Sequence, residues 1–572
     1  MLVDSWHAHK RRSFGARALD VRLTAVVVLV LGCAGCGSGE SPATGGLHTA
    51  APSDRDHPAT YARAGRGQLS AQGRPVAQHP VVSHGSWGVR SSWVAAENAK
   101  PGSPSWRITG APARGDITGF ANLSYVAQGQ RVVLRVSTTA PSFRVRAYRI
   151  GWYGGVGARE VWHSAVVPGR RQPACQVTAG VNMVSCQNWR PSLAITVTAA
   201  FVPGDYVLKL VGSGDQQSYV LMTVWDPSSH ATYLVKNDVF TLQAWNTYGG
   251  FDYYRGQGSC PQNVYPLCSR ARVVSFDRPY DHQGAGDFLS LEAPLVWFLE
   301  RHGLDVTYAT DVTVAQHPDI LARHRTVLSL GHDECWSLRE RRAAVRARRH
   351  GTNWAFFGAS AMLRHVRPEP SRLGPARRLV DYRDSAADPM NGKGRPRQVT
   401  GNTWSDPPSS WPENRFVGED YNGFLEPGRH APLTVTDATS AAFTGTGLRN
   451  GEHLPGVIAS DVDSLEPGLG HPADVQILAH SPLPAAHGQA VAQSGVRFYS
   501  DMTYYTDPRS GAGVWDSGTN NWIPALMAGH GETRLAAGAV RRITGNVLRM
   551  LGRGPAGRSH HSTPNWRRYY SR

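Results

Sequence analysis

The sequence predicts an α/β fold, a doubly wound parallel sheet, set behind an all-β sandwich. Three observations predict it. Between Tyr233 and Gly358, β-branched and aromatic runs alternate with stretches of helical period. One run, Thr326-Val-Leu-Ser-Leu330, ends on Gly331; His332, Asp333 and Glu334 follow at once, ahead of an Arg- and Ala-rich stretch opened by Ser337. From Trp87 to Asp226, by contrast, short β-forming runs are separated by Gly, Pro and Asn turns. Strands joined by helical crossovers argue a parallel sheet, and short strands at turn-to-turn spacing argue a sandwich.

The sandwich is expected over 87–226, with strands at Arg131–Ser137, Phe143–Arg149, Leu193–Thr198 and Asp205–Leu210. Trp152-Tyr153-Gly154-Gly155 reads as a tight turn with exposed aromatics, which hold a sugar or, the plainer use, pack on the neighbouring domain. The α/β domain is expected over 227–552. Phe288, Leu291, Leu295, Phe298 and Leu299 fall on one face of a helix. Strands follow at 305–310, 326–331 and 352–358, with helices at 318–324 and 337–349 between them. From 384 to 427 Pro, Gly and Trp accumulate, as in a long excursion over the sheet's mouth. Later strands at Asp474–Leu478 and Gly495–Tyr499 extend the sheet, and a helix over 535–550 packs on it. The basic stretch 553–572 reads as a solvated, poorly ordered tail.

Composition narrows the partners. With 41% hydrophobic residues and 17 Trp the chain buries real cores. The net charge of +17 comes with 55 Arg against 5 Lys, spread over the whole length. Outside the short tail no basic stripe is interleaved with aromatics, so nucleic acid is not the expected partner.

The first 32 residues read as an export signal. Lys10, Arg11, Arg12, Arg17 and Arg22 precede the apolar run Leu23–Leu31, too short to span a bilayer comfortably. Val30-Leu31-Gly32-Cys33 resembles a bacterial lipobox, with Cys33 the lipidated residue and Cys36 the alternative. Residues 33–86, rich in Gly, Ser, Pro and Ala, then form a disordered tether. The expected location is the outer face of a membrane, through a lipid anchor, or the secreted space. In that oxidising setting Cys175 with Cys186 and Cys260 with Cys268 fit two local disulfides, although spacing leaves the connectivity open. Cys335 remains alone, a nucleophile or a buried small hydrophobe.

The turn after the 326–331 strand is where an open α/β sheet meets its ligand. His332 and Glu334 there can converge on one ligand or metal; the plainer reading is a helix cap made by Asp333 or Ser337 with both residues solvated.

Further segments match a known family in order and spacing. They are Leu242-Gln-Ala-Trp-Asn-Thr-Tyr-Gly-Gly250 with Tyr254, Ser275-Phe-Asp-Arg-Pro-Tyr280, Gly284-Ala-Gly-Asp-Phe-Leu289, Phe356-Phe-Gly-Ala359, and Gly511-Ala-Gly-Val-Trp515 with Thr519-Asn-Asn-Trp522. With Gly331-His-Asp-Glu334 they resemble the large (β) subunit of N,N-dimethylformamidase. Tyr148-Arg-Ile-Gly-Trp-Tyr-Gly-Gly155 resembles that family's N-terminal sandwich. The resemblance implies a glutamine-amidotransferase-like catalytic domain, hydrolysis of a linear amide, and a mononuclear ferric iron held by two tyrosines and a glutamate. Hard oxygen donors suit such an ion. Carried over, Glu334 and Tyr254 are metal ligands, Tyr248 a candidate for the second tyrosine or simply a core aromatic, and His332 and Asp461 the proton-moving residues. The family's precedent is a small amide, with a separate small partner subunit; export adds an envelope-derived substrate as an alternative, and a homo-oligomer is the alternative to the small subunit. Three departures stand out: Trp245 where relatives carry Tyr, Cys335 in place of an aromatic, and Asp461 in place of Glu. They leave two alternatives, a catalytically degenerate envelope-binding lipoprotein with exposed Trp152, Tyr153 and Trp404, and a hydrolase using Cys335.

Overall fold

A computed structural model describes residues 81–109, 117–257, 269–468, 470–483, 498–527 and 534–570 of the chain. The expected leader, Cys33, Cys36, nearly all of the tether, Cys260 and Cys268 lie outside the described residues.

The sandwich forms as its alternation dictates. Arg131–Thr138 alternates outward and inward residues, and it pairs antiparallel with Ile117–Ala121 on one side and Leu193–Thr196 on the other. In the facing sheet Gly204–Gly212 lies between Ser142–Ile150 and Gln217–Val224. Leu134, Val136, Val145, Leu208, Leu210 and Met222 fill the space between, each contributing about 1.5–3 kcal/mol on burial. Cys175 and Cys186 are disulfide-bonded, as expected.

The second domain is mixed α/β, built on a seven-stranded sheet. Its strands, numbered along the chain, are β1 Tyr233–Asn237, β2 Val306–Thr310, β3 Thr326–Leu330, β4 Asn353–Phe357, β5 Gln476–Pro482, β6 Tyr499–Thr506 and β7 Gly513–Asp516, in the order 2-1-3-4-7-6-5. The run β2-β1-β3-β4-β7 is parallel, whereas β7-β6 and β6-β5 are antiparallel. The sheet is therefore mixed, where a parallel one was expected. The reason is local: β6 and β7 are joined by a tight turn over 507–512, and so short a connection permits only antiparallel neighbours. Alternate residues feed two cores. Val235, Leu328, Leu330, Ala355 and Phe357 meet one with the helices α1 Ala293–Arg301 and α3 Arg534–Leu551. Leu234, Val327, Trp354 and Phe356 meet the other with α2 Leu338–Arg349.

Four expectations need correction. The helix across 288–299 is broken at Glu292 into Phe288–Leu291 and α1, because Pro294 lacks an N–H and cannot continue a helix. The tether ends earlier than 86: Val82–Gly85 pairs with Gly88–Ser91, and Val89 is bonded through its carbonyl to Asp305. The tail after 553 is packed, not solvated. Tyr570 donates to Asp501 at 2.5 Å, Tyr504 donates to the His560 carbonyl at 2.7 Å, and Trp566 lies against the second core. Lastly, the Trp152–Gly155 turn hides its tyrosine. Tyr153 is buried and donates to Glu97, while Trp152 sits beneath Arg301 of α1.

That turn belongs to a joint between the domains. Arg149 of the sandwich reaches Glu300 of α1 with two hydrogen bonds, at 2.6 and 2.9 Å, and both side chains are fully buried. Tyr308 donates a further bond to Glu300 at 2.6 Å.

Candidate active site

The turn after β3 is shaped from below and from the side. Gly331 takes a left-handed φ of 57°, and a Cβ there would meet the Leu291 carbonyl at 2.8 Å. Asp333 turns inward, accepting both of its Lys236 contacts at 2.9 Å and a bond from Ser329 at 2.5 Å. It is a structural anchor. The helix α2 is capped by Ser337, reciprocally with Glu340. With Asp333 and Ser337 so employed, Glu334 is left to face the sheet's mouth. Thr241, on the helix Val239–Ala244, accepts from the Glu334 and Cys335 amides at 3.0 Å each and fixes the turn.

Four side chains converge on Glu334. Tyr254 donates to both carboxylate oxygens at 2.5 Å. The Trp245 indole donates to Oε2 and Arg364 donates to Oε1, each at 3.0 Å, and His332 Nε2 stands 3.6 Å from Oε2. Burial by itself lifts a carboxyl, yet His332, Arg364, Arg383 and Tyr254 outweigh it and hold Glu334 at about 2. Burial and then Glu334 push the Tyr254 hydroxyl well above its usual range. The phenol is sandwiched: Trp245 stacks at 3.7 Å and the Arg383 guanidinium lies over the ring at 4.1 Å.

His332 reaches Asp461 Oδ2 at 3.0 Å, and Ser360 donates to the same oxygen at 2.9 Å. Ser360 occupies a left-handed turn after β4, with φ 62°. Burial works against a charged imidazole, but Asp461 and then Glu334 carry His332 up to about 9. Despite its shorter side chain, Asp461 completes the pair with His332. It also keeps 18% of its side chain exposed, which leaves it open to a substrate.

The structure thus brings together Glu334, Tyr254, His332 and Asp461. Tyr248 is elsewhere, packed with Phe120, Trp189 and the Cys175–Cys186 bridge, as a core aromatic. Cys335 is fully buried, and burial followed by Glu334 pushes its thiol well above the usual range, so a nucleophilic role does not fit it. Trp404 is likewise buried, under Arg341 and against His365. Sequence reasoning missed Arg364, Ser360, Arg383 and Tyr421. The first two follow the neighbouring strand β4, and in a parallel sheet that turn emerges beside the one after β3. Tyr421, on the strand Asp420–Phe424, is half-buried, and burial, then Asp461 and Glu334, push its hydroxyl up.

Glu334 and Tyr254 are hard oxygen donors facing one another, which fits a hard cation. Among the described residues no group of three or more His, Cys, Asp or Glu is arranged for a metal; a site at this turn would draw on the Tyr254 phenol as well as Glu334. The second tyrosine of the two-tyrosine set is not supplied by Trp245, whose indole nitrogen offers a proton and no lone pair. Glu334 and Tyr254 are the two residues that would hold such a cation.

No curated protein matches the chain. Residues 144–534, more than half the chain, match the family described as N,N-dimethylformamidase beta subunit-like, C-terminal. The match covers all the residues gathered at the mouth of the sheet, and with it the chain belongs to the N,N-dimethylformamidase beta subunit-like family.

Proposed function

We propose that this chain is an exported amide hydrolase whose reaction takes place at Glu334. The observation that carries the reading is the convergence of Tyr254 on both Glu334 oxygens at 2.5 Å, beside the His332–Asp461 pair at 3.0 Å. A ferric ion bound by Glu334 and Tyr254 would polarise the amide carbonyl and lower the pKa of a bound water. Arg364 and Trp245 hold the carboxylate in one orientation for that purpose. Asp461, the more exposed member of its pair, accepts a proton from the attacking water. His332 holds a proton at Nε2, between Asp461 and Glu334, and gives it to the departing nitrogen. Ser360 fixes the Asp461 carboxylate so that one orientation serves both steps. Stacked Trp245 and Tyr254 keep water off one side of the site.

Export is supported by the basic-then-apolar N-terminus ending in Cys33, and by the Cys175–Cys186 disulfide, which persists in oxidising compartments. We propose lipidation at Cys33 and placement on the outer face of a membrane. No helix among the described residues is long and apolar enough to cross one. We propose a small partner subunit, the family precedent, or a second copy of this chain as its partner.

The test is elemental analysis with turnover of small amides. Stoichiometric iron with a tyrosinate charge-transfer band, both lost in Glu334→Gln, is the expected result. A chain that takes up no iron on reconstitution and cleaves no amide would sink the reading.

A further inference from the structure

We propose that the substrate is an amide carrying a carboxylate close to its nitrogen, and that Arg383 receives this carboxylate. The proposal rests on the amide-hydrolase reading and names the substrate class of that site.

Of the two arginines beside Glu334 and Tyr254, Arg383 is the less committed. Its side chain is only 7% exposed, yet Nε and Nη2 have no hydrogen-bond acceptor. The nearest carboxylate, Asp381 Oδ2, stands off at 3.5 Å from Nε; its other oxygen accepts the Arg383 backbone amide at 3.0 Å. Asp381 therefore balances the charge without filling the donors. Arg364 differs. It donates through Nε to Glu334 at 3.0 Å and through Nη1 to Asn402 at 2.7 and 2.8 Å. Arg364 is committed to the reaction centre, whereas two buried donors of Arg383 have no acceptor.

The position of those donors indicates what they take. The guanidinium lies 4.1 Å over the Tyr254 ring, and Trp245 is stacked 3.7 Å from the same ring, so the two occupy opposite faces. The hydroxyl of that ring points at Glu334. Arg383 thus stands about one phenol's length from the carboxylate where the amide reacts. An acylated amino acid has this span: its carboxylate is one carbon from the amide nitrogen. A buried donor left without a partner costs about 1–3 kcal/mol, and a planar guanidinium fork matches a carboxylate in two parallel bonds. A small neutral amide would leave both donors empty. Hydrolysis of the acylated amino acid adds one water across the C–N bond, releasing a carboxylic acid and the free amino acid.

The experiment compares N-acetylglycine with N-ethylacetamide, which has the same span and no charge, on the full chain. Binding is measured by calorimetry and turnover by release of acetate, for wild type, Arg383→Gln and Arg383→Lys. N-acetylglycine is expected to bind about ten- to a hundredfold more tightly than N-ethylacetamide. Arg383→Gln should erase that gap and Arg383→Lys should keep part of it, with circular dichroism and melting curves confirming that each variant folds. Equal binding of the two probes to wild type, or a gap that survives in Arg383→Gln, overturns the proposal. If N-ethylacetamide is cleaved as well as N-acetylglycine, the substrate class is wrong and the hydrolase reading stands. If neither is cleaved while N-acetylglycine binds through Arg383, the hydrolase reading fails and the carboxylate subsite stands.

Discussion

The Tyr254 hydroxyl spans the Glu334 carboxylate, 2.5 Å from each oxygen, although the two residues lie 80 positions apart in the chain. The contact arises because β1, which leads through the helix Val239–Ala244 to Tyr254, runs parallel to β3 beside it, so both segments emerge at the same edge of the sheet. It sets the strictest test of the site. Glu334→Gln keeps size and removes the anionic donor. Bound iron should fall to background while the circular dichroism spectrum stays native, since the turn is fixed by Thr241 and Asp333. His332→Ala should retain iron and lose turnover by about 10²–10⁴-fold, the contribution of a positioned acid or base. Equal activity in both variants and wild type would remove the turn from the reaction.

Trp245→Tyr puts a phenol where the indole now donates to Glu334. A third hard oxygen should raise iron retention during dialysis against a chelator and strengthen the tyrosinate absorption. A variant that loses iron as quickly as wild type would show that this position is not aimed at the metal.

What was legible in the sequence follows from how locally it is encoded. The Thr326–Leu330 run, its Gly331 stop and the Ser337 cap are decided within a dozen residues, and all three appear as read. His332 and Glu334 stand out from the strand and turn around them, and Tyr254 from motif order alone. Arg364 and Arg383 were invisible, because an arginine among 55 is marked only by the long-range contact it makes. The direction of β6 and β7 turned on one short connection rather than on periodicity, which is the same for parallel and antiparallel strands. The tail's packing is masked in the sequence by its Arg content, which hides Trp566 and Tyr570, two rings that find partners on β6 and its neighbours.

Arg149 and Glu300 join the two domains in a site without water access. Removing one partner from such a pair leaves a buried charge and costs about 3–5 kcal/mol. Glu300→Leu alone should therefore lower the melting temperature steeply, and adding Arg149→Met should restore much of it. Denaturant unfolding that shows less than about 1 kcal/mol for Glu300→Leu would mean the joint is held by its apolar contacts instead.

Acid stability is expected to report on Glu97. Burial raises its carboxyl, but Lys100, Arg149 and Arg159 outweigh burial and hold it at about 2 against an ordinary 4.5. The folded value lies below the unfolded one, so this group's contribution is complete above pH 4.5 and is lost as the pH falls toward 2. Glu97→Gln should flatten that part of the stability profile and leave the slope above pH 6 alone. An unchanged acid limb would show that Glu97 is not depressed in the folded chain.

Truncation after Gly552 tests the packed tail. The cut removes the His560 carbonyl that accepts from Tyr504, the Asn565 side chain that bonds Ile477 at 2.7 and 2.9 Å, and the Tyr570 hydroxyl on Asp501. It also uncovers apolar surface beneath Trp566. Hydrogen bonds of this kind contribute about 1 kcal/mol each and a buried ring about 1.5–3, so the truncated chain should lose at least about 3 kcal/mol of stability. The loss should be local at first, with faster amide exchange in β5 and β6 than in β1 and β3, because the tail's hydrogen bonds among the described residues go mostly to β5 and β6, with Asn353 of β4 at its start. A truncated chain with wild-type melting and unchanged exchange in β6 would return the segment to the solvated tail its composition suggested.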